Sequence, residues 1–243
     1  MKVEPIRYAA GDRQFSGALV YDPAAAKNQP MLLVAPNWLG AGPDAMERGS
    51  LLASRGYVVF VVDMYGENVR PAGPPEAAPL ADALRADPDA QRLRINAALA
   101  AFRAEAAQRG IGDASRQAAI GFCFGGGNVL ELARSGAALK AVVSVHGDLT
   151  SLKPAAAGDI KAPLMVLHGS TDRVSPKSQR DAFEDEMTAA GVTWRMMIFG
   201  GVIHAYTDVG ADVPGIARYD EPASRTSYDA ADAFIADAFD GRL

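Results

Sequence analysis

The chain has 243 residues, enough for a full hydrophobic core, with 49% hydrophobic and 22% charged residues, the balance of an ordinary globular protein. Its net charge of −5 argues against nucleic acid or an anionic membrane as the main partner. A single cysteine excludes an intrachain disulfide, and no apolar run approaches the ~20 residues that span a bilayer. The stretch Met1–Arg7 lacks the apolar segment of a secretory signal, so the expected location is the cytoplasm.

In chain order, Val3–Tyr8 and Phe15–Tyr21 read as two strands joined around Ala10-Gly11-Asp12, and 22–30 as a surface loop. Met31–Ala35 is a short, wholly apolar run suited to the inside of a parallel sheet. A turn-rich loop, Pro36–Pro43, leads into a helix over Asp44–Arg55, with Asp44 as N-cap and Gly56 as stop. Tyr57–Val62 is the next buried strand, closing on Asp63-Met64-Tyr65-Gly66, and Glu67–Pro79 is a long irregular excursion. Helical spacing over about 90–108 puts Leu93, Ala97, Ala100, Ala101 and Ala104 on one face. Gln117–Ile120 is a strand, followed by a helix ending at Gly136. Ala141–Val145 and Pro163–Leu167 are strands ending at His146-Gly147-Asp148 and His168-Gly169-Ser170-Thr171-Asp172. A helix starts near Ser175-Pro176, Thr193–Phe199 is the last strand, and a C-terminal helix carries Ala231, Phe234, Ile235 and Ala238 on one side. Regular alternation of strand and helix predicts one α/β domain over 1–243, a mostly parallel sheet with helices on both faces.

The stretch that organises the chemistry is Ile120-Gly121-Phe122-Cys123-Phe124-Gly125. It is G-x-C-x-G, the thiol form of the G-x-S-x-G nucleophile elbow of α/β-hydrolases. A side chain on a tight strand-to-helix turn projects above the sheet on a strained backbone, and Gly121 and Gly125 leave room that any side chain would close. Glycine makes up 24 residues of the chain, so both flanks by chance have odds of roughly one in a hundred. The helix that follows points its positive end at the sulfur, which favours thiolate and later an oxyanion.

A thiol needs a base or a field to become a nucleophile, and the base is expected to be a histidine held by a carboxylate. On this type of sheet the order is nucleophile, acid, histidine, and Cys123, Asp172 and His204 fit it. Asp148 and Asp208 are the competing acids, while His146 and His168, at strand ends, read as structural. Nothing has the spacing of a metal site. The oxyanion hole is expected to use the N–H of Phe124 and that of Trp38 in the loop after Ala35.

These stretches resemble the dienelactone hydrolase family of the α/β-hydrolase fold. The matching segments are Val34–Gly40, Arg55–Gly66, Ile120–Gly126, His168–Asp172 and Gly200–Tyr206, spread from about Met31 to Tyr206. The resemblance implies hydrolysis of a small carboxylic ester or lactone through a thioester on Cys123, with Asp172 and His204 completing the triad and no metal or organic cofactor. Asn37, Tyr65 and Tyr206, within the matching segments, are the candidate substrate contacts. The better-known members carry glutamate at the position of Asn37 and an arginine shortly after the histidine, where this chain has Ala205-Tyr206-Thr207-Asp208. Arg85, Arg92 and Arg94 are other possible cations. Without the glutamate, the thiol is expected to rest as thiolate paired with His204, and neutral substrates are expected to be preferred. A binding protein with weak or no turnover, or a peptidase or acyltransferase on the same scaffold, are the alternatives.

Overall fold

The computed structural model describes residues 1–24 and 27–243, which fall into two compact units, Met1–Ala119 and Ile120–Leu243. In the first unit, β1 (Lys2–Ala10) and β2 (Arg13–Tyr21) form an antiparallel hairpin registered from Lys2↔Tyr21 to Ala10↔Arg13. Gly11, at φ +58, takes the left-handed position in its turn, which glycine adopts without steric cost. Positions 25 and 26 of the expected loop over 22–30 lie outside the described residues. β3 (Pro30–Ala35) runs parallel to β4 (Val58–Val61), and β2 pairs antiparallel with β4. Met31 to Ala35 and Val58 to Val61 are buried throughout, as expected for strands covered on both faces.

Helix α1 (Pro43–Ser54) opens with Pro43 at its first position and Gly42 as N-cap, two residues earlier than the Asp44 cap the sequence suggests. The excursion expected over 67–79 is irregular only to Gly73. From there Pro74 and Pro75 begin α2 (Pro74–Arg85), because proline's missing N–H costs nothing in a first helical turn. Helix α3 (Pro88–Arg109) is capped by the Asp87 side chain on Ala90 N–H and closed by Gly110 at φ +62. Its buried face is Gln91, Ile95, Ala98, Leu99, Phe102 and Ala106, not the face through Leu93, which is 54% exposed. Alanines spaced all round the helix satisfied the apolar period on the wrong side. The larger Ile95, Leu99 and Phe102 carry the burial, each worth about 2–3 kcal/mol, and Phe102 stacks on Phe60 at 5.4 Å.

Strand β5 (Asp113–Phe122) is longer than the sequence suggests, and the boundary between the units falls within it. The second unit continues with α4 (Phe124–Arg134), β6 (Ala141–Val145), β7 (Leu164–Gly169), α5 (Lys177–Ala189) and β8 (Trp194–Phe199). β6, β7 and β8 are parallel neighbours. Pro176 is the N-cap of α5, displacing Ser175 from that expected role. Strand β8 is followed by a short hairpin, β9 (Asp212–Val213) and β10 (Ala217–Arg218), so it is not the last strand. Helix α6 (Glu221–Phe239), capped by Asp220, buries Ala231, Phe234, Ile235 and Ala238 as the spacing predicts. The strand order of the eight-stranded sheet is β1-β2-β4-β3-β5-β6-β7-β8, antiparallel through β1, β2 and β4 and parallel between β3 and β4 and from β6 to β8, the α/β-hydrolase architecture. Among the described residues, no helix is long and apolar enough to cross a membrane.

Candidate active site

The elbow is built by clearance. A Cβ at Gly121 would fall on the Gly125 carbonyl, and one at Gly126 would sit 2.6 Å from both Gly147 Cα and Ser144 Oγ. Glycine at these positions lets α4 start hard against the sheet, with Cys123 as its N-cap at φ +54, ψ −123. A non-glycine residue there stores about 1–3 kcal/mol of backbone strain. Of the described residues only His146 (φ +38) and Ala205 (φ +56) share a positive φ without being glycine. All three belong to the loops that meet at the sulfur.

Asp172 stands in the turn after β7. Its Oδ1 accepts the N–H groups of Val174 (2.8 Å) and Ser175 (3.0 Å), which fixes the carboxylate and leaves Oδ2 facing His204. His204 Nδ1–H donates to that Oδ2 at 2.8 Å, and its Nε2 lies 3.1 Å from Cys123 Sγ. The base loop is pinned on both sides: Thr171 N–H donates to Val202 O at 3.1 Å, and Arg218 N–H, on β10, donates to His204 O at 3.0 Å. Asp172 is the carboxylate on His204. Of the competitors, Asp208 lies 3.5 Å from the Thr207 hydroxyl and Asp148 packs beside Gly127.

Burial disfavours a charged His204, but the electrostatic interaction with Cys123 and the hydrogen bonds to Asp172 and Cys123 outweigh it and push its pKa up to about 10. Burial likewise opposes charge on Asp172. The hydrogen bond and positive charge of His204, with the Ser175 N–H, reverse this and hold its carboxyl below the usual carboxylate range. His168 Nε2–H donates to Ser175 O at 2.8 Å and so clamps the Asp172 turn, with burial pushing its pKa down.

The remaining expected residues take varied places. Phe124 begins α4 directly after the sulfur-bearing residue. Tyr206 is fully buried, its hydroxyl 3.0 Å from Ser227 Oγ, so it lies in the core of its unit. In the first unit, Asn37 Oδ1 accepts Leu39 N–H at 3.0 Å and shapes the turn that carries Trp38. Tyr65, also buried, donates its hydroxyl to Trp38 O at 2.8 Å. Of the three other possible cations, Arg94 donates to Met64 O at 2.8 Å and lies over the Phe15 ring, and Arg85 pairs with Asp82. Among the described residues, no group of three or more His, Cys, Asp or Glu could hold a metal ion.

Sequence reasoning undervalued His146. It is buried, as expected of a structural histidine, yet its Nδ1 accepts the N–H of Cys123 itself at 3.1 Å. The available signal was the His-Gly pair at the ends of two buried strands, at 146–147 and 168–169. A buried imidazole there must find polar partners, and the partners nearest are the turns the chemistry uses.

Comparison with known proteins agrees with this architecture. Among solved structures, m3DLH is 34% identical with a TM-score of 0.89, over 98% of both chains. A dienelactone hydrolase-like promiscuous phosphotriesterase from metagenomic libraries is 31% identical, TM-score 0.88, over 98% of both chains. A protein of Methylorubrum extorquens, provisionally named a carboxymethylenebutenolidase, is 27% identical across 76% of this chain, which spans 65% of that relative's length. The profile of the dienelactone hydrolase family matches residues 16–239. With the elbow, the parallel sheet and that near-complete match, the chain belongs to the dienelactone hydrolase family.

Proposed function

We propose that this protein hydrolyses a carboxylic ester or lactone by way of a thioester on Cys123, without metal or organic cofactor. One observation carries the reading: His204 bridges Asp172 Oδ2 at 2.8 Å and Cys123 Sγ at 3.1 Å, with its pKa pushed up to about 10. At neutral pH that describes an imidazolium, paired in this reading with the nucleophilic sulfur in the manner of a cysteine–histidine hydrolase. The thiolate attacks the substrate carbonyl carbon, and the carbonyl π pair moves to oxygen. The resulting oxyanion takes the Phe124 N–H at the helix start. Collapse expels the alkoxide, which collects the proton from His204 Nε2, and leaves the thioester. Water then attacks the thioester carbonyl, neutral His204 takes the water's proton, and thiolate departs with the carboxylic acid released. Asp172 keeps the imidazole in the orientation that both proton transfers need.

The substrate class proposed is a small neutral ester or lactone. The segment Ala205–Asp208 after His204 holds no arginine and ends in the acidic Asp208, which disfavours a carboxylate on the substrate. One structural relative is named a promiscuous phosphotriesterase, so a neutral aryl phosphotriester belongs in the assay panel. The test is turnover of p-nitrophenyl acetate by wild type and Cys123→Ala. Loss of turnover in the variant is expected; equal rates would remove Cys123 from the reaction. Carboxylate-bearing lactones should show lower kcat/KM than neutral ones, and the reverse ranking would overturn the substrate class. The whole chain is also proposed to act as one domain, for which calorimetry should record one unfolding transition, not two.

A further inference from the structure

We propose that His146 is a positioning residue that fixes the nucleophile loop and the base loop to a single ring, and so sets where the Cys123 sulfur stands relative to His204. The proposal rests on the reading of Cys123 as nucleophile and His204 as its base. His146 ends β6 and is fully buried. Its Nδ1 accepts the Cys123 N–H at 3.1 Å, and its Nε2 lies 2.8 Å from Thr207 Oγ1. A nitrogen that accepts an N–H must hold a lone pair, so the ring proton sits on Nε2 and is donated to the Thr207 hydroxyl. The Thr207 hydroxyl in turn donates toward Asp208 Oδ1, 3.5 Å away. Every donor in this chain runs in one direction, from the Cys123 amide outward.

Thr207 is three residues beyond His204. The route Cys123–His146–Thr207 therefore joins the loop of the sulfur to the loop of the base independently of the Sγ···Nε2 contact. The His146 ring also packs edge-on against the rings of His204 (centroids 5.2 Å) and Tyr206 (5.0 Å). The Cys123 amide already has the strand-end carbonyl of Val145 at 3.0 Å. The imidazole is a second acceptor, available to a backbone held at φ +54, away from regular strand geometry. The strain is shared: among the described residues, the positive-φ residues other than glycine are Cys123 and Ala205 (φ +56), one on each loop that the ring connects, and His146 itself (φ +38). A satisfied core histidine needs partners of any kind. Here Cys123 and Thr207 belong to the loops that carry the reacting atoms.

Three comparisons test this. The first is the 15N spectrum of the wild-type imidazoles, which should place the His146 proton on Nε2; a proton on Nδ1 overturns the proposal with no variant needed. The second is His146→Asn against His146→Gly. Both residues accept a left-handed backbone, but only Asn puts an acceptor oxygen where Nδ1 stands. Because a misplacement near 1 Å costs about a hundredfold, His146→Gly should lose about that much in kcat on p-nitrophenyl acetate and in the rate of Cys123 alkylation by iodoacetamide, with KM unchanged. His146→Asn should recover most of both. Equal behaviour of the two variants overturns the proposal. The third uses isosteric Thr207→Val, expected to slow alkylation about tenfold, with Thr207→Ser restoring it; wild-type rates in Thr207→Val count against the proposal. Alkylation does not depend on ester turnover. A wild type that hydrolyses no ester, but shows the expected alkylation ranking, would sink the hydrolase reading and leave the positioning role supported.

Discussion

Asp63 in the first unit and Asp172 in the second are built alike and used differently. Each side chain is fully buried and follows a parallel strand. Each closes a turn with Oδ1, which accepts two backbone N–H groups: Tyr65 and Gly66 at 3.0 and 3.1 Å for Asp63, Val174 and Ser175 at 2.8 and 3.0 Å for Asp172. The divergence is at Oδ2. For Asp63 it takes Ser16 N–H at 3.0 Å and the Arg70 guanidinium at 3.3 Å. For Asp172 it takes the imidazole of His204 at 2.8 Å. An amide and a guanidinium keep their protons at any pH where the protein is folded, so Asp63 can only hold its turn together. An imidazole exchanges its proton, so Asp172 can orient a base. The same turn chemistry serves structure in one case and, on the proposed mechanism, catalysis in the other, according to the atom on the second oxygen.

The largest predicted effect separates the pair. Asp172→Asn should lower kcat about 10³–10⁴-fold, with a melting temperature near wild type. Asp63→Asn should do the opposite. Losing charge-assisted hydrogen bonds at a buried carboxylate costs about 2 kcal/mol, several degrees of melting temperature for a chain of this size, while kcat per folded molecule stays close to wild type. Exchanged phenotypes would break the comparison.

A second test uses pH. The folded-state pKa of His204, about 10, lies above its unfolded value near 6.5. Its proton is held more tightly in the folded chain, so its contribution is complete below pH 6.5 and is lost as pH rises through 10. Asp172, held below its ordinary range, contributes above that range and loses its contribution on acidification. Thermal melts should therefore show the stability margin of wild type over His204→Gln shrinking between pH 6.5 and 10. The margin over Asp63→Asn should stay flat in that window, because its Oδ2 partners are a backbone amide and a guanidinium, not an imidazole. A flat His204 margin would contradict the imidazolium assignment. The smallest effect belongs to Asn37, a neutral version of the same device, whose Oδ1 accepts Leu39 N–H. Asn37→Ala should cost about 1 kcal/mol in chemical denaturation.

This comparison also marks the limit of legibility. The sequence places an aspartate shortly after each strand, and nothing local distinguishes them, because the discriminating partner of Asp172 lies 32 residues away. What singled out Asp172 was chain order relative to the elbow. The elbow itself was readable because its strain and clearances leave a mark: Gly121 and Gly126 stand where a Cβ would collide with backbone. Fold class was readable from wholly apolar runs such as Met31–Ala35. The face of α3 was not, since small alanines satisfy the helical period on either side and only Ile95, Leu99 and Phe102 decide it. Helix α2 was hidden by prolines that break a helix interior but begin one freely. The Cys123–His146 bond was hidden because it joins a side chain to a backbone amide 23 residues distant.

The most direct test of the account is intact-protein and peptide mass spectrometry on rapidly quenched mixtures of the protein with p-nitrophenyl acetate. The account predicts one added acetyl group, carried by the peptide containing Cys123, released by neutral hydroxylamine, and absent from Cys123→Ala along with turnover. An acetyl group on a hydroxyl side chain, or undiminished turnover in Cys123→Ala, would contradict a thioester mechanism.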